Sequence, residues 1–325
     1  MLSMVARADG QNGRPERVGR AGWRQLGQLP DKGGWFIALR RMNLGTTPVA
    51  RTALLEFEAD MTTAGRHRLA MADVGGGLKL WRLALSLGWL DTRLRYRGSM
   101  LGPLWLTIST GVMVGALGVL YSALFGMDIR DYLPFLSLSL VLWAFLSSLV
   151  SEACTTFTES EAIIRSVRMP FFVFSIRTLV RNIIVLAHNV IVILIVFGIF
   201  AVWPNWNWLL IVPGLALWVA DGLALTLLLG AFCARFRDIQ PIVNSIMQIA
   251  FFLTPVIWKP EQLGTGAAKL PLNPFFDLME IVRAPLLGHT PGVLVWIGAI
   301  LFSLALWAVS WSLFIRARGR VAFWI

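Results

Sequence analysis

Six stretches of the chain, at 101–125, 133–150, 183–202, 208–232, 242–258 and 292–315, carry almost nothing but apolar side chains. A helix needs about 20 residues to cross a hydrocarbon core about 30 Å thick. The pattern therefore predicts an all-α integral membrane protein with six transmembrane helices. The second and fifth stretches are the shortest. They reach across only if they stand upright or if flanking residues snorkel.

The segments between these stretches are patterned differently. Residues 78–97, LKLWRLALSLGWLDTRLRYR, mix Trp81, Leu85, Trp89 and Leu90 with Lys79, Arg82, Arg93, Arg95 and Arg97. A helix with Trp and Leu on one side and Arg on the other suits a membrane surface. Residues 71–100 are accordingly expected to form an amphipathic cytoplasmic interface helix ahead of a six-span domain at 101–325. Residues 1–70 have no sustained period and no apolar core of a secretory signal. They are expected to be a disordered extension, with Met61 and Met71 as alternative starts. The connection at 151–182 holds Glu152, Glu159, Glu161, Arg165 and Arg168 before Pro170. Glu161 and Arg165 are four apart in the favourable order, so a short amphipathic helix is expected there. The connection at 259–291 carries Pro260, Pro271, Pro274, Pro285 and Pro291 around apolar pieces too short to span. Partly inserted, external re-entrant helices are the expected form.

Charge sets the orientation. Arg165, Arg168, Arg177, Arg181, Arg235, Arg237, Arg316, Arg318 and Arg320 fall on one set of loops, whereas the opposite set holds only Arg130, Lys259, Lys269 and Arg283. The side rich in Lys and Arg is the cytoplasmic one, which puts both termini inside and the protein in a bacterial inner membrane. Trp203, Trp206, Trp208 and Trp258 then lie at the outer interface, where indole rings are favoured. With 57% hydrophobic and 14% charged residues, the net charge of +11 points to anionic lipid and not to nucleic acid.

The chemistry present is sparse. No GxxxxGK[ST] phosphate loop, HExxH or GxSxG occurs in the sequence, so no catalytic site is expected on this chain. Cys154 and Cys233 have no CxxC or neighbouring His pattern, and no metal site is expected. Within the apolar runs stand His188, Asn189 and Asp221. They are read either as interhelical hydrogen-bonding groups or as a lining of a transport path. An ion-coupled small-solute transporter would call for more such groups in two matching halves. A membrane acyl- or glycosyltransferase would call for a cluster of acids or His in an interfacial loop.

Several segments in order resemble the permeases of polysaccharide-exporting ABC transporters: LRYRGSMLGPLWLTIS at 94–109, ESEAIIRSVRMPFFVFSIRTLVRNIIVLAHN at 159–189, RFRDIQPIVNSIMQIAFFLTPVIW at 235–258, LNPFFDLMEIVRAPLLG at 272–288 and the ending RGRVAFWI. The resemblance implies a type-2 ABC exporter of two permease copies and two separate ATPase subunits, with ATP and Mg held by the ATPase and no cofactor on this chain. Its cargo would be a lipid-linked O-antigen, capsule or teichoic-acid-like glycan. The excess of Arg over Lys hints at a GC-rich genome and favours a Gram-negative surface glycan. On this reading Glu159, Glu161, Ile163, Ile164, Arg165, Val167 and Arg168 grip the ATPase, with Arg235, Arg237 and Asp238 as a second contact. Arg93, Arg95 and Arg97 sit where a diphosphate headgroup approaches.

Overall fold

The computed structural model describes residues 63–325 apart from Leu101 and Pro103. The expected extension at 1–62 lies outside the described residues. Every regular element among the described residues is helical.

Two helices open the fold, α1 (Thr63–Lys79) and α2 (Trp81–Arg95). Residues 63–70, read from sequence with the extension, are the first two turns of α1, and Ala70 is fully buried. The sequence hid this because α1 packs through small residues, not through an apolar stripe. A Cβ on Gly77 would come within 2.7 Å of the Phe172 side chain, and one on Gly88 within 2.9 Å of the Arg177 carbonyl oxygen. In α2 the buried residues are Ala84, Gly88 and Thr92, four apart, while Trp81, Trp89, Leu90 and Leu94 are exposed. The face toward the protein is thus small, and the large apolar side chains point away from it, as a helix lying against lipid requires.

Five helices are long and apolar enough to cross a membrane: α3 (Leu104–Phe125), α4 (Ile129–Thr155), α6 (Phe171–Phe200), α7 (Ile211–Arg235, preceded by a 3-10 turn from Trp206) and α10 (Val293–Trp324). The most apolar window of α4 is 83% buried within the protein, against 17% for α3. Thus α4 is the central post and α3 a peripheral helix. Around α4 stand α3, α6, α7 and α8 (Ile239–Leu253), and α10 packs mainly on α7.

Three boundaries differ from the sequence reading for physical reasons. Helix α6 starts at Phe171, well before 183. Pro170 begins it in an extended conformation, and Arg177 and Arg181 continue it because carboxylates from other helices meet them. The fifth apolar run yields only the 15-residue α8, about 22 Å long, because Thr254 leaves helical geometry just before Pro255. In the connection at 259–291 there are a 3-10 segment (Pro260–Leu272), kinked at Gly264, and the short helix α9 (Pro274–Leu286), whose Asn273 cap accepts from the Phe275 N–H at 3.0 Å. Both are too short to span.

Asp73 locks the start of α6 in place. Its carboxylate is almost fully buried and accepts from the Phe171 and Phe172 N–H groups at 3.2 and 3.0 Å. A carboxylate at a helix start satisfies otherwise orphaned donors and complements the helix dipole. Arg318 near the end of α10 donates to the same carboxylate at 3.0 Å. One side chain therefore ties α1, α6 and α10 together directly behind the loop that ends at Pro170.

Candidate coupling site at the arginine-rich end of the bundle

The densest polar cluster lies where α2, α4 and α6 meet. Arg181 is 5% exposed. It donates to Glu152 of α4 at 2.7 Å and to Glu159 at 3.1 Å, with Asp91 of α2 at 3.9 Å. One turn earlier, Arg177 holds Asp91 through two nitrogens at 2.5 and 2.7 Å and reaches Ser160 at 3.3 Å. Arg95 joins Glu152 at 3.0 Å, and Asn182 donates to the other oxygen of Glu152 at 2.7 Å. Three arginines thus balance Asp91, Glu152 and Glu159. Buried ions are tolerable only when paired and hydrogen-bonded in this way.

This cluster connects the interface helix to the loop after α4. The loop carries α5 (Glu161–Ser166), a helix of 6 residues. Ile163 and Ile164 are partly buried against a cluster that includes Phe157, Phe172, Val321 and Ile325. They hold the loop to its own protein body. The face left exposed is made of Ala162, Arg165, Ser166, Val167 and Arg168. Glu161 and Arg165 pair at 2.8 Å as their spacing predicts, and Arg165 also reaches the main-chain oxygen of Ile325. At the neighbouring turn, Arg235 stacks on Phe236 and on Trp324, 5.7 Å from each ring centre, while Arg237 and Asp238 are exposed. Arg165 therefore contacts Ile325 and Arg235 contacts Trp324, which brings the two sequence-predicted coupling segments to one end of α10.

The remaining candidate residues separate. Arg93, Arg95 and Arg97 do not act alike. Arg95 is tied to Glu152, Arg93 lines a cavity with His188, and Arg97 is exposed. The His188 main-chain oxygen accepts from Thr107 at 3.2 Å, fastening α6 to α3. Asn189 is buried, with its side-chain oxygen unpartnered. Asp221 is 3% exposed and accepts from Ser303 of α10 at 2.8 Å, which fits an interhelical tie more closely than a path lining. Alongside α4 and α8 runs a groove of about 570 Å³ with Trp143, Ser147, Ser151, Asn244, Gln248 and Phe251 among its walls. It combines aromatic rings with amide and hydroxyl groups.

Residues 82–287 match the family described as ABC-2 type transporter. The chain belongs to this family. The match runs from the start of α2 to just past α9, so it contains the charge cluster, the loop with α5, the groove and the short elements at 260–286. A relative from Myxococcus xanthus, an O-antigen export system permease protein named RfbA, is 28% identical over 210 residues, which cover 64% of this chain and 81% of the relative. Two proteins of the same name from Klebsiella pneumoniae are each 20% identical over 174 residues, covering 53% of this chain and 67% of theirs. Membership of the ABC-2 family makes the chain a multi-pass transporter permease whose partner is an ABC ATPase subunit.

Reading by sequence found the loop but not its anchor. Arg177 and Arg181 entered only as topology charges, and Asp91 was not singled out. Their one sequence signal is the four-residue spacing of Arg177 and Arg181, which puts both on one face of α6. In a double-mutant cycle, Arg181→Gln and Glu152→Gln are expected to show an interaction free energy of at least about 1.5 kcal/mol. The same cycle at the exposed Glu161–Arg165 pair should give about 0.3–0.5 kcal/mol. Thermal unfolding of the purified chain in detergent reads both. Equal values would remove the cluster's status as the anchor.

Proposed function

We propose that this ABC-2 permease moves a lipid-linked cell-surface polysaccharide, an O-antigen or capsule-like glycan, from the cytoplasm across the inner membrane. The observation that carries the reading is the sustained similarity to O-antigen export permeases, over 210 residues for the Myxococcus xanthus protein and 174 for the Klebsiella pneumoniae ones. The groove between α4 and α8 supports it, because rings flanked by amides and hydroxyls let a sugar chain slide while exchanging weak contacts. In the working transporter two copies of the chain pair with two ATPase subunits. On α8, Ile242, Ile246, Ile249 and Phe252 are exposed along one side, spaced three to four apart, the stripe expected of a helix facing another helix. A second copy seated there would enclose the groove.

The arginine-rich end faces the cytoplasm in this reading. Both termini lie on that side, and α8 with residues 254–258 makes the sixth crossing. The short external helices dip part-way into the membrane. The ATPase then meets the exposed face of α5 and the turn at Arg235, Arg237 and Asp238. Val167, 52% exposed, is the apolar contact, with Arg165 and Arg168 beside it. Ile163 and Ile164 anchor the loop from behind, and Glu159 transmits its movement to Arg181.

Deleting the gene should abolish surface glycan while the lipid-linked glycan accumulates inside the cell, and a plasmid copy should restore export. Unchanged surface glycan, read by electrophoresis of extracted polysaccharide, would refute the substrate assignment. Val167→Asp should leave the folded chain intact but strip the ATPase from it during affinity purification; a retained, export-competent complex would exclude α5 as the docking element. For topology, reporter fusions after Arg130, Asn205 and Gly266 should read external, and those after Arg168 and Arg237 internal. One reproducible inversion sinks the six-crossing arrangement.

A further inference from the structure

At the end of α2 a cavity of about 400 Å³ opens between that helix, the turn before α3 and the middle of α6. Trp89, Arg93 and Tyr96 wall it on one side, Gly102 at the turn, and Ile184 and His188 on the other. Beyond Arg181, α6 carries no Asp, Glu, Lys or Arg. His188 stands seven residues further on, about 10 Å along the helix axis. The cavity therefore lies just inside the border between the charged end and the apolar span.

The polar groups turned into it have few partners of their own. Arg95, Arg177 and Arg181 each hold a carboxylate. Arg93 makes no hydrogen bond or ion pair among the described residues, and neither does the Tyr96 hydroxyl. Burial pushes the Tyr96 hydroxyl up from its usual range, so it remains a donor. The Nδ1 of His188 is engaged with the Ile184 carbonyl at 2.7 Å, which leaves Nε2 as the free ring nitrogen. A guanidinium at an apolar border attracts an anion, and the described residues supply none to Arg93. Trp89 and Ile184 add apolar wall at the same place, which a free, fully hydrated anion would not use.

We propose that this cavity seats the phosphate of a lipid headgroup, with Arg93 and His188 as its ligands, Tyr96 as an added donor, and Trp89 and Ile184 against the first carbons of the lipid chain. The proposal deepens the reading of the chain as an exporter of lipid-linked glycan and rests on it. It separates Arg93 from Arg95 and Arg97, which the sequence grouped with it, and brings in His188 from a different helix.

The test uses the full-length chain in nanodiscs of neutral phosphatidylcholine, with a radiolabelled polyprenyl diphosphate that carries no sugar. Wild type should retain the probe saturably. Arg93→Gln and His188→Gln should each weaken retention about tenfold, the size of one lost charge-assisted hydrogen bond. Arg97→Gln should stay within about twofold, because a diffuse surface charge contributes little. Millimolar inorganic phosphate should not displace the probe. Equal losses for Arg93→Gln and Arg97→Gln would mean a general surface field and overturn the site. So would retention that no variant changes. Displacement by inorganic phosphate would reassign the cavity to a free anion and overturn the lipid assignment. The probe has no sugar and the assay needs no transport, so failure here is distinct from failure of the surface-glycan phenotype.

Discussion

An arginine held inside a bundle that lipid surrounds must find its counter-charge within the protein, and much of this fold follows from that requirement at Arg181. The guanidinium is nearly fully buried. Water cannot solvate it, so Glu152 and Glu159 must come to it, with Asp91 close by. Those three carboxylates lie on α4, on the loop after it, and on α2. Satisfying one charge thereby fixes how three segments sit against α6. Removing Glu152 leaves Arg181 only the half-exposed Glu159 and the more distant Asp91, which costs more than losing an ordinary surface contact. The three segments are consequently tied to α6 through one guanidinium.

The apolar runs made the spans legible because lipid demands length and hydropathy of any crossing helix, and α3, α7 and α10 begin within a few residues of their runs. Where the sequence misled, protein had replaced lipid or water as the neighbour. Arg177 and Arg181 looked like loop residues, yet they are helical because Asp91 and Glu152 neutralise them. Residues 63–70 looked unstructured, yet α1 packs through Ala70 and Gly77, which leave no hydrophobic stripe to detect. Ile163 and Ile164 looked like a grip for a partner, and both are partly buried against a cluster of their own chain that includes Phe157 and Phe172. A short apolar motif states that something must cover it. It does not state whether the cover comes from the same chain.

The opposite end of α4 repeats the logic with a different arginine. Arg283 of α9 is 1% exposed, pairs with Glu280 at 2.5 Å, and donates to Ser139 of α4 at 2.9 Å. It also donates to the Pro255 carbonyl at 2.5 Å and lies 4.5 Å from the centre of the Phe135 ring. Pro255 follows directly on α8, so this contact fastens the end of that helix. Tyr132 at the start of α4 adds a hydrogen bond to the Ile257 carbonyl at 2.5 Å, and Asn273 bonds Thr254 at 2.9 Å. The elements after α8 are thus pinned to α4, although none of them is long enough to cross.

These two clamps leave an asymmetry. The post α4 is gripped by a buried arginine near each end, and buried ion pairs of this kind do not shear gradually; they hold or exchange partners. By contrast α8 packs chiefly on α4, and its Ile246, Ile249 and Phe252 face away from the rest of the chain. Likewise α3 is mostly uncovered along its length. A path that opens and closes needs a wall able to shift without breaking ionic contacts. In this chain α3 meets that condition, and α8 meets it only up to the end that Arg283 fastens through the Pro255 carbonyl. The groove lined by Asn244 and Gln248 of α8 lies between the central post and a helix that is held to it by uncharged contacts, the Ser151 hydroxyl donating to Asn244 at 2.9 Å.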